Sequence, residues 1–329
     1  MAESSLSVGY GDLLASVGFF IGYGSTSANW STEQKALLNS IVQSGVRRVY
    51  YPQAIGENGQ MSGYEWSWLH PNETIDVVQA YNTGTILVVN GVVTLTGGSF
   101  PTSWTGTINL SVNGISYQVD SIDSTTQITL VNTSVNANAG SIYSLSIFAY
   151  DLPDNFGRLL GGLHYPPESY RRPISIISAG RLEDLLAQIT TTGTPHQAAV
   201  RYKSSDGTSG QRQEIMFFPP PASPWTLSYE YEAYSGALSD TFPYPLGGMQ
   251  LAELYIESCL AMAETRVNDE IGEHSAQFQA LLIDAIARDR KRGAQMYGQM
   301  GHREHGGYGD DWRGWYIPPF PITYNGQTL

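Results

Sequence analysis

Between Val77 and Tyr150 the chain carries only two charged residues, Asp120 and Asp123. The rest of that stretch is dominated by Thr, Ser, Val, Ile, Asn and Gly, and it alternates, as in Thr107-Ile108-Asn109-Leu110-Ser111-Val112. Alternation at period 2 is the mark of a strand with one face in a core and one in water. Asn90-Gly91 and Asn113-Gly114 each stand between two such runs. An Asn-Gly pair suits a two-residue hairpin, because a type I′ turn needs positive φ at both positions. We read residues 84–146 as a small all-β domain of roughly six strands. Helical and mixed sequence lies on both sides, so the domain reads as an insertion into a host, which an exposed loop tolerates.

The host is predicted to start with helices. Asp12 is placed to cap a short helix through Leu13, Leu14, Val17 and Phe20, which Gly22-Tyr23-Gly24 stops. Ser31-Thr32-Glu33-Gln34 has the spacing of a capping box. Leu37, Leu38, Ile41, Val42, Val46 and Val49 follow as a helical stripe, with Arg47 and Arg48 in the last turn, where cations suit the helix dipole. Beyond the β stretch, Arg181 to Ile189 repeats a short helical stripe. Ala198–Lys203 and Gln213–Phe218 flank a turn at Asp206-Gly207 and predict a hairpin. Thr226–Tyr234 alternates as a further strand. Leu246–Ile271 carries two stripes (Leu251, Leu254, Tyr255, Ser258, Met262, and Ile256, Leu260, Ala263, Val267, Ile271), which predict a helix buried on most sides. After Gly272, a second helix over Glu273–Arg292 points Phe278, Leu281, Leu282, Ala285 and Ile286 inward.

Composition narrows the function. With 329 residues the chain has room for about two or three domains. Charged residues make up 14% and hydrophobic ones 41%, enough for a sizeable core. The net charge of −13 excludes an overall field that attracts nucleic acid, yet allows a surface past which DNA slides. One cysteine, Cys259, excludes a disulfide framework or cysteine-cluster zinc site and reads as a small core hydrophobe. Met1–Ser7 has neither a basic n-region nor an apolar h-region, and Val17–Ile21 is too short to cross a bilayer. A soluble protein made in a reducing cytosol, without a membrane partner, is expected. The Asn-x-Ser/Thr triplets at Asn29, Asn72, Asn109 and Asn132 read as chance.

Catalytic signatures are missing from the sequence. It holds no phosphate-loop, dinucleotide or nucleophile-elbow motif. His302 and His305, near Asp310 and Asp311, have zinc-ligand residue types, but Gly-rich sequence does not preorganise ligands and no general base stands beside them; no metal and no cofactor is expected. Glu230 and Glu232 share one strand face opposite Tyr229 and Tyr231. A glycosidase needs such a carboxylate pair, while simple alternation explains it as a solvent face. Arg288, Arg290, Lys291 and Arg292 fall at a helix C-terminus and are read as dipole complement plus contact with another subunit or an acidic partner. The end of the chain, 294–329, is Gly-, aromatic- and Pro-rich and cannot form its own core. Tyr308, Trp312, Trp315, Tyr316, Pro318, Pro319 and Phe320 are expected to dock onto a partner, since interface cores are enriched in Trp and Tyr.

Several motifs recur in a telling order. Asp12-Leu13-Leu14 leads to Val17-Gly18-Phe19-Phe20-Ile21-Gly22-Tyr23-Gly24. Ile41 through Pro52 and Tyr64-Glu65-Trp66-Ser67-Trp68-Leu69-His70-Pro71 follow. Tyr150-Asp151-Leu152-Pro153-Asp154-Asn155-Phe156-Gly157 resumes after the β stretch. Ala237–Thr241, Pro243–Gly248 and Glu257–Glu264 complete the series. Outside 84–146 and the tail, this order resembles the head-to-tail adaptor (connector, head-completion) proteins of tailed bacteriophages. The resemblance implies an α+β fold, with a helical adaptor core and a β-layer over 1–83 and 147–293. The inserted β-domain would fill 84–146, and 294–329 would form an extended tail. It further implies a virion protein with no enzymatic activity, assembled in the host cytoplasm as a dodecameric ring at the neck. The ring would sit beneath the portal with its tail inside it, extend the DNA channel without gripping DNA, and present its lower face to tail or stopper proteins. The competing expectation is a carbohydrate- or receptor-binding β-rich virion protein, which requires exposed aromatics among Phe100, Trp104, Tyr117 and Tyr143.

Overall fold

The computed structural model describes residues 4–55, 61–188, 191–205, 207–208, 210–269 and 271–292, and the pairs 323–324 and 327–328. Its first helix, α1 (Tyr10–Ile21), starts one turn earlier than Asp12 suggests. Gly9 is the N-cap, and the Asp12 carboxylate, three residues in, accepts from the Gly9 N–H at 2.9 Å. Gly22 ends the helix in the left-handed region, at φ 89°. In α2 (Thr32–Tyr50) the capping box forms as its spacing predicts: the Gln34 N–H donates to Ser31 Oγ and the Ser31 N–H to Gln34 Oε1. A two-stranded ribbon, β1 (Gln53–Ile55) with β2 (Met61–Gly63), follows, then β3 (Asn72–Val77).

The charge-poor stretch folds into seven strands joined by turns. They are β4 (Thr85–Val89), β5 (Val92–Thr96), β6 (Thr107–Val112), β7 (Ile115–Ile122), β8 (Gln127–Leu130), β9 (Ala137–Ser141) and β10 (Tyr143–Asp151). Both Asn-Gly turns adopt positive φ at both residues. The strand order is β10-β6-β7-β8-β5-β4-β9. β9 and β10 are one stretch broken only at Ile142, and Tyr81 exchanges both backbone hydrogen bonds with Leu145. The strip is therefore paired at both edges and closes on itself, which removes exposed edges. Its interior is a core of its own, with Ile86, Val88, Leu110, Ile128, Leu130, Tyr143 and Leu145 buried.

After β11 (Phe156–Leu159) and β12 (Ser175–Ile176) come α3 (Ala179–Gln188), β13 (Gln197–Tyr202), β14 (Gln213–Phe218) and β15 (Trp225–Ala233). The expected hairpin is present, β13 pairing antiparallel with β14; Asp206 in its turn, like Ile189 of the predicted stripe, lies outside the described residues. All six residues of β14 are buried. Ile215 and Phe217 pack toward the three-stranded sheet β11-β15-β3, and Met216 and Phe218 toward Leu182 of α3. A strand covered on both faces reads as a continuous apolar run, which is what Ile215-Met216-Phe217-Phe218 is.

The expectation of a helical core with a β-layer is overturned. The largest element is a ten-stranded mixed sheet, β12-β13-β14-β10-β6-β7-β8-β5-β4-β9. The reason lies in β10, which does not stop at residue 146. Its last residues, Tyr150 and Asp151, pair with Ile215 and Glu214 of β14 and join the closed strip to the hairpin beyond it. Helices supply one cluster beside this sheet: α1, α2, α4 (Ala252–Ala263) and the Phe278 and Ala285 positions of α5 (Glu273–Arg292). The predicted helix over Leu246–Ile271 is shorter than its stripes suggest. α4 gives way to a π-turn over Glu264–Asn268, and Asp269 turns left-handed at φ 56°. Val267 and Ile271, from the second stripe, are left exposed.

The chain divides into two units, Met1–Ala287 and Arg288–Leu329. In the second, the described residues are the last turn of α5 and a short hairpin of β16 (Thr323–Tyr324) and β17 (Gln327–Thr328).

Candidate partner-binding surfaces

The groups with catalytic chemistry have structural explanations. Tyr229 and Tyr231 of β15 point into the core, Glu230 is exposed, and Glu232 accepts from Arg158 Nε at 2.6 Å. The same arginine also pairs with Glu65. Glu230 and Glu232 are thus the outer face of an amphipathic strand. Cys259 is fully buried, and burial pushes its thiol up to about 12, so it carries no thiolate for nucleophilic work. Among the described residues no cluster of His, Cys, Asp and Glu is placed to hold a metal. His302, His305, Asp310 and Asp311 lie outside the described residues.

The aromatic positions of the β stretch do not form a platform. Phe100 and Tyr143 are buried, stacking edge-to-face at 6.0 Å, while Trp104 and Tyr117 are half-buried against the same cluster. Burial raises the Tyr143 phenol above its ordinary range.

Of the residues expected to meet partners, Arg288, Arg290 and Lys291 are exposed on the last turn of α5. Arg292 closes the helix, with its side chain outside the described residues, as are Tyr308, Trp312, Trp315, Tyr316, Pro318, Pro319 and Phe320. Exposed apolar side chains add to these. Phe19 at the end of α1 is 74% exposed, and Ile271 and Ile283 are 87% and 70% exposed. Phe20 meets His274 edge-to-face at 5.2 Å, and His274 Nδ1 lies 2.8 Å from Glu257 Oε2, so α5 is tied to both α1 and α4. Phe242, Tyr244, Leu246 and Met249 are exposed ahead of α4. Contiguous apolar patches mark interaction surfaces, whereas single exposed apolar side chains are common on any fold.

A further surface was not legible in the sequence. Leu163 and Ile174 exchange two backbone hydrogen bonds, of 3.3 and 2.8 Å, and close the loop between them. Pro166, Pro167 and Pro173 stiffen it, and a 3-10 turn over Pro167–Ser169 ends at Tyr170. Tyr170 stands 96% exposed in the left-handed region, at φ 51° and ψ 34°. The next residue, Arg171, holds its guanidinium 4.9 Å from the Trp225 ring centroid and donates to Thr194 Oγ1 at 3.0 Å. Trp225 packs edge-to-face on Tyr165, whose hydroxyl donates to the Pro195 carbonyl at 2.6 Å.

No curated protein matches the chain. A family model described as SU10 adaptor protein matches residues 88–301. That span takes in most of the uncharged β stretch and the motifs at 150–157, 237–248 and 257–264; those at 12–24, 41–52 and 64–71 precede it.

Proposed function

Because this chain belongs to the SU10 adaptor protein family, of the phage head-tail adaptor type, we propose that it is one wedge of a ring, dodecameric by family likeness, between the portal and the tail or stopper proteins. At the coarser level it is a phage structural adaptor, a virion component that contacts other virion components. No helix among the described residues is long and apolar enough to cross a membrane.

The family match over 88–301 is the observation that carries this reading. Three features support the finer picture. A net charge of −13 suits a channel wall that must pass DNA without gripping it. Exposed Phe19, Ile271 and Ile283 suit burial between neighbouring copies. The aromatic residues of 294–329, Trp312 and Trp315 foremost, suit docking inside the portal, with Arg288, Arg290, Lys291 and Arg292 meeting a neighbour's acidic surface. The role is positional, without catalysis or cofactor. Deleting 294–329 tests the docking assignment: portal binding should fall by orders of magnitude while the body stays folded. Undiminished docking of the truncated chain contradicts it. Burial of Phe100 and Tyr143 leaves the carbohydrate-binding alternative without its aromatic platform.

A further inference from the structure

The loop between Leu163 and Ile174 combines three features that folding alone does not require. A large aromatic, Tyr170, is almost wholly in water. Its backbone sits in the left-handed region, at φ 51°, where side chains other than Gly, Asn and Asp are rarely found. Such strain persists where the surroundings enforce it, and it clusters at functional positions. Finally, Arg171 and Arg172 follow directly, both exposed, and neither is ion-paired among the described residues.

The charge balance of this segment opposes that of the chain. Within the loop itself, from Leu163 to Ile174, Arg171 and Arg172 stand against one carboxylate, Glu168. The chain as a whole is at −13. Arg171 is also held in place, by Trp225, Tyr165 and Thr194, and three prolines limit the loop's freedom. A Tyr on a constrained backbone beside an oriented Arg has the composition of an interface hot spot, and the constraint lowers the entropy lost on binding.

We propose that this loop is a contact by which one copy of the chain holds the acidic surface of a second copy, with Tyr170 as the anchor and Arg171 and Arg172 as its charge complement. The inference rests on the reading that copies assemble in a ring. The second copy is the favoured occupant because it supplies excess carboxylate: Asp76 and Glu230, on the outer face of the three-stranded sheet, are exposed and meet no cation among the described residues. A head-to-tail contact of unlike surfaces is what a ring requires.

The test is sedimentation of the purified full chain over a concentration series at low and high salt. Wild type should self-associate, more weakly at high salt. Arg171→Glu with Arg172→Glu should weaken association at least tenfold while the circular dichroism spectrum is unchanged. Should that double variant not fold, Arg172→Glu alone, exposed and outside any ion pair, should still weaken it severalfold. Tyr170→Gly separates an interface role from a structural one: it should raise the unfolding temperature by relieving strain, yet loosen association. A photo-crosslinking residue at position 170 should give a product of twice the chain mass. Assembly of these variants equal to wild type overturns the contact and leaves the adaptor reading standing. A wild type that stays monomeric at every concentration overturns the contact and the self-assembling ring together. If wild type shifts a short DNA duplex, the double variant does not, and assembly is the same for both, the loop serves nucleic acid and the proposal is wrong.

Discussion

Gly45 of α2 faces Cys259 of α4 so closely that a Cβ on Gly45 would lie 2.7 Å from the cysteine sulfur and 2.8 Å from its Cα. Beside it, Ser258 Oγ donates to the Gly45 carbonyl at 2.8 Å. The two helices cross here at backbone contact, and only glycine leaves the space. Gly45→Ala should therefore cost about 1–3 kcal/mol, the usual penalty of overpacking. Chemical denaturation should show a lower midpoint with an unchanged slope.

Cys259 itself should be silent. With its thiol pushed up to about 12 by burial, an aromatic disulfide reagent at pH 8 should label it only as fast as the protein unfolds. Labelling should become immediate in denaturant. Fast labelling of the native chain would show that the α2–α4 contact opens.

Glu214 links the closed β strip to the hairpin beside it. Its side chain is 4% exposed, accepting from Thr107 Oγ1 of β6 at 2.7 Å and from Arg201 Nε of β13 at 2.7 Å. Arg201→Ala leaves a buried carboxylate without its cation and should cost about 3–5 kcal/mol. Glu183→Ala removes the exposed end of the same network and should cost less than about 1 kcal/mol. Equal effects in thermal unfolding would mean that Glu214 is hydrated after all.

Alkaline pH should find the tyrosines in two classes. Burial raises Tyr150 to about 12, partly offset by the Val78 N–H that donates to its phenol oxygen at 3.0 Å, and raises Tyr165 to about 12 against the pull of Arg171. A phenol raised in the fold favours the protonated native state. Its contribution is complete below the ordinary value near pH 10 and is lost as pH climbs toward 12. Absorbance at 295 nm should rise first near the ordinary phenol value of about 10. A second, steeper rise should coincide with unfolding above it. One smooth transition near pH 10 contradicts the buried placement.

What the sequence revealed was what local chemistry determines. Ser31 and Gln34 announce a helix start because both partners of the capping box lie within four consecutive residues, at N-cap and N3. Asn90-Gly91 and Asn113-Gly114 announce turns because few other pairs accept positive φ twice. Glu230 and Glu232 are outward because Tyr229 and Tyr231 are inward. Apart from the start of the first helix, the misses are non-local. Asp12 was placed one turn out because Gly9 has no side chain to advertise a cap. β10 reads as the end of a small domain, and only its pairing with Ile215 and Glu214 reveals a ten-stranded sheet. Val267 and Ile271 continue a helical stripe in sequence but fall where the π-turn has already swung them outward. The Tyr170 loop left no trace, since Pro-Pro and Arg-Arg report a break and a charge but not exposure.

The central claim, a ring wedge at the head-tail junction, is tested most directly by imaging the particle that carries this chain. A ring wedge should give rotationally averaged density between portal and tail into which the ten-stranded sheet and its helices fit once per subunit, with protein at the sites of Tyr170 and Arg172. Density for this fold on a tail fibre or the capsid face, or a single copy off the axis, would contradict it.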